Sequence, residues 1–471
     1  MAFGFFKKKN YADCVYLNGN FETNDIDIPK ASAIAVKEGI IIRVGEAEDM
    51  EDLTGPETKV TDLEGKYAKP GLIDLFSAPA GDVLSDTFIR LNERMTQDDL
   101  ANAVESFIKK KPKADYIFGW GYDAVIISKD EEDTSLFRKR LDEISPEKPV
   151  VLVSSDDLNM RINTAAAQIA KDRADSIGIE TLTPAFIMDS IIATDYEACS
   201  GPLMADALEA AKRGITSRFS CEKSTYLDNI YRDMLINITS NGLAKQRYFG
   251  SYPIKRTLPT QSYTYSIDRQ ATLCQELVPI VNYDTACVYC TSDEENPYYM
   301  TGEYIRKLIE DIADRGYNVR FMPLDKDAAL ICFSIAAELS EGYKRCTFSI
   351  ENHYDFTQEE LSEVYSGSVI ELPLKDDKTP AEAMGMAGKL GVLAEGAYAD
   401  IAVFNSKDSA EACMTILGGE IVYTKDSTLY DWVDACNRIL VSYTDDISAF
   451  EKALSEEDEK AEGDETEVLS E

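Results

Sequence analysis

The sequence predicts an α/β fold, a distorted TIM-type (β/α) barrel carrying a β-sandwich-like composite domain formed from both chain ends. Three observations predict it. The chain has 471 residues, of which 44% are hydrophobic, and this is enough for one large core and a smaller second one. Amphipathic helical stretches that each lead into a short apolar strand alternate over roughly 300 residues, which is typical of a parallel barrel. Short strands and turns occupy both ends of the chain.

Residues 11–67 are the predicted amino-terminal part of the composite β domain. Val15–Leu17 leads into the turn Asn18-Gly19-Asn20, which predicts a hairpin. A second hairpin is predicted around Glu38-Gly39, because apolar runs lie on both sides of it.

Residues 68–380 are the predicted barrel. Thr96 is typical of a helix cap, with Asp99 three residues later. The apolar spacing predicts further helices, each followed by a strand, at 135–144 and 150–153, 203–213 and 215–217, 303–315 and 318–322, and 327–339 and 347–351.

Strand-rich sequence returns at residues 381–424, the predicted carboxyl-terminal part of the composite domain. Gly418-Gly419 is the predicted turn of its last hairpin. A C-terminal helix is predicted within residues 425–454, beginning at Leu429. Residues 455–471 form an acidic tail that we expect to be disordered.

The charge of the chain excludes two classes of partner. Asp and Glu number 85 against 48 Lys and Arg, and a net charge of -37 repels nucleic acid and anionic membrane surfaces. The ten cysteines lack framework spacing, which indicates reduced thiols and a cytoplasmic protein. The pair Cys287 and Cys290 is a redox pair, half of a zinc site or two buried structural thiols, and we favour the third interpretation.

The chain contains a single histidine, His353. Imidazole is the commonest metal ligand among side chains and the usual general base near neutral pH. A site with several histidines is therefore excluded, and any chemistry must use carboxylates, thiols, lysines or backbone groups.

Motifs at both ends resemble the amidohydrolase superfamily over residues 11–424. They are Ala35–Gly45, Asp62–Lys66, Lys69–Asp74 (Lys-Pro-Gly-Leu-Ile-Asp), Thr379–Ala383, Glu395–Phe404 and Gly418–Tyr423. Within the superfamily, the chain is similar to the family 3 branch of N-substituted formamide deformylase. The segments that support this branch are Gly119–Asp123 (Gly-Trp-Gly-Tyr-Asp), Arg161–Ala166 and Arg213–Ser217. Gly119–Tyr122 either places aromatic rings over a pocket or forms a Gly-bounded turn.

The resemblance implies hydrolysis of carbon–nitrogen bonds other than peptide bonds by zinc or another divalent metal at the carboxyl end of the barrel. The histidines that would bind this metal are missing. Phe76 and Ala78 stand at the first two ligand positions, and Leu158, Met322 and Asn352 stand at later ones. We therefore expect no metal cofactor.

Several other residues are candidates for a site. Asp74 either orients an active-site group or bonds a neighbouring backbone amide, and we favour the amide. Glu351 and His353, two residues apart on a strand, either line the barrel mouth together or form a surface pair. Four carboxylates have two interpretations. They form a hard oxygen site for Mg²⁺ or Ca²⁺, or they cluster by chance in an acidic chain, and we favour chance clustering. They are Asp325, Asp327, Asp376 and Asp377.

The sequence thus predicts a pseudoenzyme that binds a small amide-like ligand or a protein partner. The alternative is an active amide or formamide hydrolase with a carboxylate-based or metal-free site. A third hypothesis is that the acidic tail binds a basic protein.

Overall fold

Parallel strands separated by helices make up most of the molecule. The structure is a computed structural model that describes residues 11–126, 131–157, 159–192, 196–357, 360, 369–374 and 379–439. The strands are β1 (Cys14–Leu17), β2 (Asn20–Glu22), β3 (Lys30–Ala31), β4 (Ala33–Lys37), β5 (Ile40–Gly45), β6 (Lys59–Asp62), β7 (Tyr67–Pro70), β8 (Leu72–Ser77), β9 (Ile89–Arg90), β10 (Ile117–Tyr122), β11 (Val150–Ser154), β12 (Met160–Ile162), β13 (Ile215–Ser220), β14 (Arg247–Ile254), β15 (Val281–Cys290), β16 (Asn318–Pro323), β17 (Phe348–Glu351), β18 (Ile370–Leu372), β19 (Ile401–Phe404), β20 (Ala412–Leu417) and β21 (Glu420–Thr424).

The helices lie mainly between the parallel strands. They are α1 (Ala80–Val83), α2 (Gln97–Lys110), α3 (Glu131–Ile144), α4 (Thr164–Ser176), α5 (Pro184–Ile191), α6 (Tyr196–Lys212), α7 (Thr225–Ser240), α8 (Thr260–Cys274), α9 (Gly302–Ala313), α10 (Lys326–Gly342), α11 (Pro380–Ala383) and α12 (429–439).

Seven parallel strands form a curled half-barrel in the order β18-β17-β16-β15-β14-β13-β8. The α/β class is confirmed to this extent. Strands β9 to β12 form a separate four-stranded sheet, and no pairing within the described ranges joins β8 to β18. Because the strands run in one direction, the residues that follow them meet at one edge, where a site is expected.

The half-barrel is held by apolar side chains buried between its strands and the surrounding helices. On one side Val288 of β15 and Phe321 of β16 pack with Ile309 of α9 and Phe333 of α10. These four side chains are fully buried, so each stabilises the fold by roughly 1.5–3 kcal/mol relative to exposure.

Strands from both chain ends share a six-stranded sheet of order β21-β20-β19-β7-β2-β3. A buried ion pair connects this sheet with β14: Arg247 Nε lies 2.6 Å from Asp400 Oδ2, and Nη2 lies 2.8 Å from Oδ1. Asp400 also accepts the backbone N–H of Gly418 at 2.8 Å. The domain boundaries proposed above stay predictions.

Two of the three predicted hairpins are confirmed. Strands β4 and β5 pair antiparallel around Glu38-Gly39, and β20 and β21 pair around Gly418-Gly419. The hairpin predicted at Asn18 is wrong, since β1 and β2 belong to different sheets. Asn18 adopts a left-handed φ of 54°, and this turn carries the chain from one sheet to the other.

The predicted C-terminal helix is present as α12. Its Trp432 and Cys436 pack into the same apolar cluster as Leu203 and Leu235. The acidic tail lies outside the described residues. In the part of the chain that the structure describes, no helix is both long and apolar enough to cross a membrane.

Candidate functional site

The first two positions at which the family would have histidine ligands lie at the carboxyl end of β8. Phe76 and Ala78 are both exposed, and Phe76 is 51% exposed. Asp74 accepts the backbone N–H of Phe76 at 3.1 Å, so its carboxylate bonds a neighbouring amide.

A buried guanidinium occupies the space next to these positions. Arg320 of β16 is 2% exposed, and its Nη1 donates to the carbonyl oxygen of Leu75 at 2.9 Å. The same nitrogen lies 3.2 Å from the Cys221 sulfur. The guanidinium carbon lies 4.8 Å from the centre of the Phe219 ring and 5.2 Å from that of Phe76, as in a cation–π contact.

The residues present do not fit a divalent metal ion. Zinc requires imidazole, thiolate or carboxylate ligands, and the side chains of Phe76 and Ala78 offer none of these. The positive charge of Arg320 would repel a dication in a space of low dielectric constant. Within the described ranges, no group of three or more His, Cys, Asp or Glu side chains is placed to hold a metal.

The later ligand positions are occupied by side chains with local partners. Asn352 is buried, donates to Glu371 Oε1 at 2.6 Å and accepts the backbone N–H of Tyr354 at 2.9 Å. Met322 is half-buried at the end of β16. Glu351 and the exposed His353 lie together, with 2.8 Å between Oε1 and Nε2.

The four candidate carboxylates do not form a common site where the structure describes them. Asp325 caps α10, accepting the N–H of Ala328, and also accepts from Thr291 and Ser292. Burial works to raise the pKa of Asp325, but these hydrogen bonds outweigh it and hold the pKa below its usual value. Asp327 is exposed in the first turn of α10. Asp376, Asp377 and Leu158 lie outside the described residues.

Cys221 and Glu222 follow the last residue of β13, and neither is among the site residues that the sequence predicts. Burial raises the pKa of Glu222 to about 7, and its Oε1 accepts the backbone N–H of Ala80 at 2.7 Å. A carboxyl group that titrates near neutral pH is suited to hold or release a proton. The available signal was position, since both residues lie shortly after the predicted strand 215–217, whose observed counterpart β13 extends to Ser220.

A cavity of about 390 Å³ lies beside the carboxyl end of β14. Its lining offers four cationic side chains, four carboxylates and four tyrosines: Arg232, Lys255, Arg256, Arg269, Asp156, Asp157, Asp189, Asp233, Tyr226, Tyr252, Tyr263 and Tyr265. Lys255 and Arg232 are buried and paired, with Lys255 Nζ 3.0 Å from Asp157 and Arg232 Nη2 3.2 Å from Asp233. Arg256 and Arg269 are exposed, and neither forms an ion pair with another described residue.

Asp157 lines this cavity and bonds to Trp120, which lines a second cavity of about 640 Å³. Its carboxylate accepts the indole N–H of Trp120 at 2.7 Å and the backbone N–H of Thr225 at 2.8 Å. Trp120 and Gly121 line the second cavity. They lie in strand β10, so the Gly-bounded turn considered for this motif is not formed.

Comparison with known proteins gives partial sequence matches. Over 159 residues the chain is 28% identical to Protein LONG AFTER FAR-RED 3 of Arabidopsis thaliana, covering 34% of this chain and 27% of that protein. Over 174 residues it is 25% identical to N-substituted formamide deformylase of Arthrobacter pascens, covering 36% of this chain and 30% of that protein. The matches thus span less than a third of the length of each of these two relatives. No protein-family model matches the chain.

Among solved structures, a triazine hydrolase variant aligns over 90% of this chain and 99% of its own, with a TM-score of 0.49 and 12% identity. The resemblance to N-substituted formamide deformylase that the motifs predicted is confirmed by the sequence match.

Proposed function

We propose that this chain, which resembles amidohydrolases, is a pseudoenzyme that binds a small amide-like ligand at its strand ends and holds no catalytic metal. The observation that supports this most directly is the buried guanidinium of Arg320 between Phe76 and Phe219. It places a fixed positive charge beside the positions where the family would hold a dication.

The side chains that line the 390 Å³ cavity complement the polar groups of an amide. An amide group presents an N–H donor and a carbonyl acceptor together. The carboxylates of the cavity accept a hydrogen bond from the ligand N–H, and the exposed Arg256 and Arg269 donate to the ligand carbonyl oxygen. The rings of Tyr252 and Tyr263, whose centres lie 6.2 Å apart edge to face, form an apolar wall. A few polar groups on a partly aromatic wall are typical of small-molecule sites.

The proposal is tested by metal content and turnover of the purified full chain. We expect far less than one equivalent of zinc or manganese, and no chelator-sensitive hydrolysis of acetamide, N-formylglycine or related N-formyl compounds. Nearly one equivalent of either metal, with hydrolysis abolished by chelator, would overturn it. Chelator-insensitive hydrolysis would instead support the metal-free hydrolase.

Ligand binding is tested by calorimetry with the same amides. Arg269→Ala removes an exposed cavity cation without disturbing the core, so we expect about tenfold weaker binding of any amide that binds. Arg345→Ala, an exposed arginine between α10 and β17 that does not line either cavity, is the matched control. Equal loss in both variants, or loss in neither, would place the ligand elsewhere.

We also propose a cytoplasmic location. All ten cysteines lie in the described part of the chain, and each is a free thiol. Reduced thiols in this number fit a reducing compartment.

A further inference from the structure

Cys221 lies in an unusual electrostatic environment at the carboxyl edge of the half-barrel. It directly follows β13 and is partly exposed, and its sulfur lies 3.2 Å from Arg320 Nη1. Cys346 and Cys413 are also partly exposed, but the hydrogen bonds of their sulfurs go to the carbonyl oxygens of Ala313 and Val403.

Arg320 has donor capacity that other described groups do not use. Its Nε and Nη2 are buried and have no hydrogen-bond partner within the described ranges. It also forms no ion pair with a carboxylate there. A buried cation without a counter-ion is costly, and an anionic sulfur at 3.2 Å would lower that cost.

We propose that hydroperoxides oxidise Cys221, and that Arg320 stabilises the Cys221 sulfur as the thiolate. This inference is independent of the proposed ligand, because Cys221 lines neither cavity. Thiolates beside cationic groups are the reactive form of cysteine.

The electrostatics support this geometry. The neighbouring Cys287 thiol and the guanidinium of Arg320 lower the pKa of Cys221 below its usual value, and they outweigh burial and the Glu351 carboxylate, which both raise it. Burial raises the pKa of Cys287 well above its usual value, so that residue stays a neutral thiol.

The reaction with hydrogen peroxide is a two-electron oxidation of sulfur. The Cys221 thiolate attacks one peroxide oxygen, the S–O bond forms and the O–O bond breaks. The transferred oxygen keeps its proton, giving sulfenic acid, and hydroxide leaves as the reduced product.

Cys287 is not proposed as a disulfide partner. Strand β14 separates β13 from β15, so their backbones are about two strand spacings, or roughly 9–10 Å, apart. A disulfide requires a Cα separation below about 7 Å. The product is therefore a sulfenic acid at Cys221 alone.

The test treats the full chain with hydrogen peroxide in the presence of dimedone and maps the labelled peptides. We expect Cys221 to be labelled about tenfold faster than Cys346 and Cys413, which serve as internal controls. The buried pair Cys290 and Cys332, with 3.4 Å between sulfurs, controls for mere proximity of two thiols. Equal labelling of Cys221 and the control thiols would overturn the proposal.

The role of Arg320 is tested through the pH dependence of iodoacetamide alkylation at Cys221. We expect Arg320→Met to slow alkylation about tenfold near neutral pH and to move the midpoint of the pH profile upward. Arg320→Lys keeps the charge and should retain most of the rate, which also covers the case that the methionine variant does not fold. An unchanged pH profile in a folded Arg320→Met variant would contradict the role assigned to the charge. A tenfold loss of the alkylation rate in Arg320→Lys would contradict it as well.

Discussion

The guanidinium of Arg320 is buried at the strand ends, beside Phe76 and Cys221. The sequence places Arg320 inside a predicted strand, two residues before Met322, which stands at a ligand position of the family. Because side chains two apart on a strand share a face, its place beside the site was predictable. Its contacts with Phe76 and Cys221 were not, since they join strands far apart in the chain.

At the same scale, the raised pKa of Glu222 predicts a pH-dependent stability. Unfolded, this carboxyl ionises near its usual value of 4.5, whereas burial keeps it protonated to about pH 7 in the folded protein. Between these values the unfolded state binds fewer protons. The contribution to stability therefore falls as pH rises, by at most about 1.4 kcal/mol per pH unit.

Glu222→Gln removes this titration and keeps an acceptor for the Ala80 N–H. We expect the variant to gain stability relative to the wild type between pH 4.5 and 7, with a constant difference above that. Urea unfolding at several pH values measures it. Parallel curves for the two proteins would contradict the prediction.

At the scale of elements, local signals predicted structure well where they were strong. Thr96 forms the expected capping box with Asp99 at the start of α2, and the helices that the apolar spacing predicts at 303–315 and 327–339 are present as α9 and α10. The sequence pattern predicts no element over residues 218–302, although Ser224 caps α7. Gly250 and Pro253 obscure β14, because both residues are rare in central strands.

The turn between β20 and β21 gives a prediction about one element. Gly419 has a left-handed φ of +78°, and an added Cβ would lie 2.7 Å from Val36 Cγ1 and 3.1 Å from Cys14 Sγ. Gly388 has a similar φ of +70° but nothing within 4 Å. Gly419→Ala therefore combines backbone strain with a clash, whereas Gly388→Ala has the strain alone.

We expect Gly388→Ala to lower the free energy of unfolding by about 1 kcal/mol and Gly419→Ala by roughly 1–3 kcal/mol more. Urea unfolding of the two variants measures the difference. Equal losses would show that the hairpin does not dock tightly on β1 and β4.

At the scale of the whole molecule, the sequence indicated parallel strands but not how far they close. Alternating helices and strands predict that the strands run parallel, whereas the order of the strands and the closure of the sheet depend on which strand edges pair. Strand β8 pairs with β13, while β9 to β12 pair among themselves. No local pattern specifies that choice, because it rests on contacts distant in sequence.

The ion pair of Arg247 and Asp400 predicts how the half-barrel and the chain-end sheet depend on each other. Arg247→Met leaves Asp400 buried without its counter-ion, which should lower the free energy of unfolding by roughly 3–5 kcal/mol. Lys59→Met breaks an exposed pair with Glu420 and should change little.

Thermal and urea unfolding of both variants measure this contrast. The double variant Arg247→Met, Asp400→Leu removes both charges and should recover part of the loss. A single Arg247→Met variant as stable as Lys59→Met would contradict the prediction.

The hydrogen bond from Trp120 to Asp157 has an optical consequence. The chain has two tryptophans, and the other, Trp432, lies in α12, where its ring packs into an apolar cluster and faces the Lys245 ammonium. Anything that draws Lys255 away from Asp157 changes the polarity around one indole only. The emission wavelength of the unlabelled protein therefore reports occupancy near β14 against a constant background from the second chromophore.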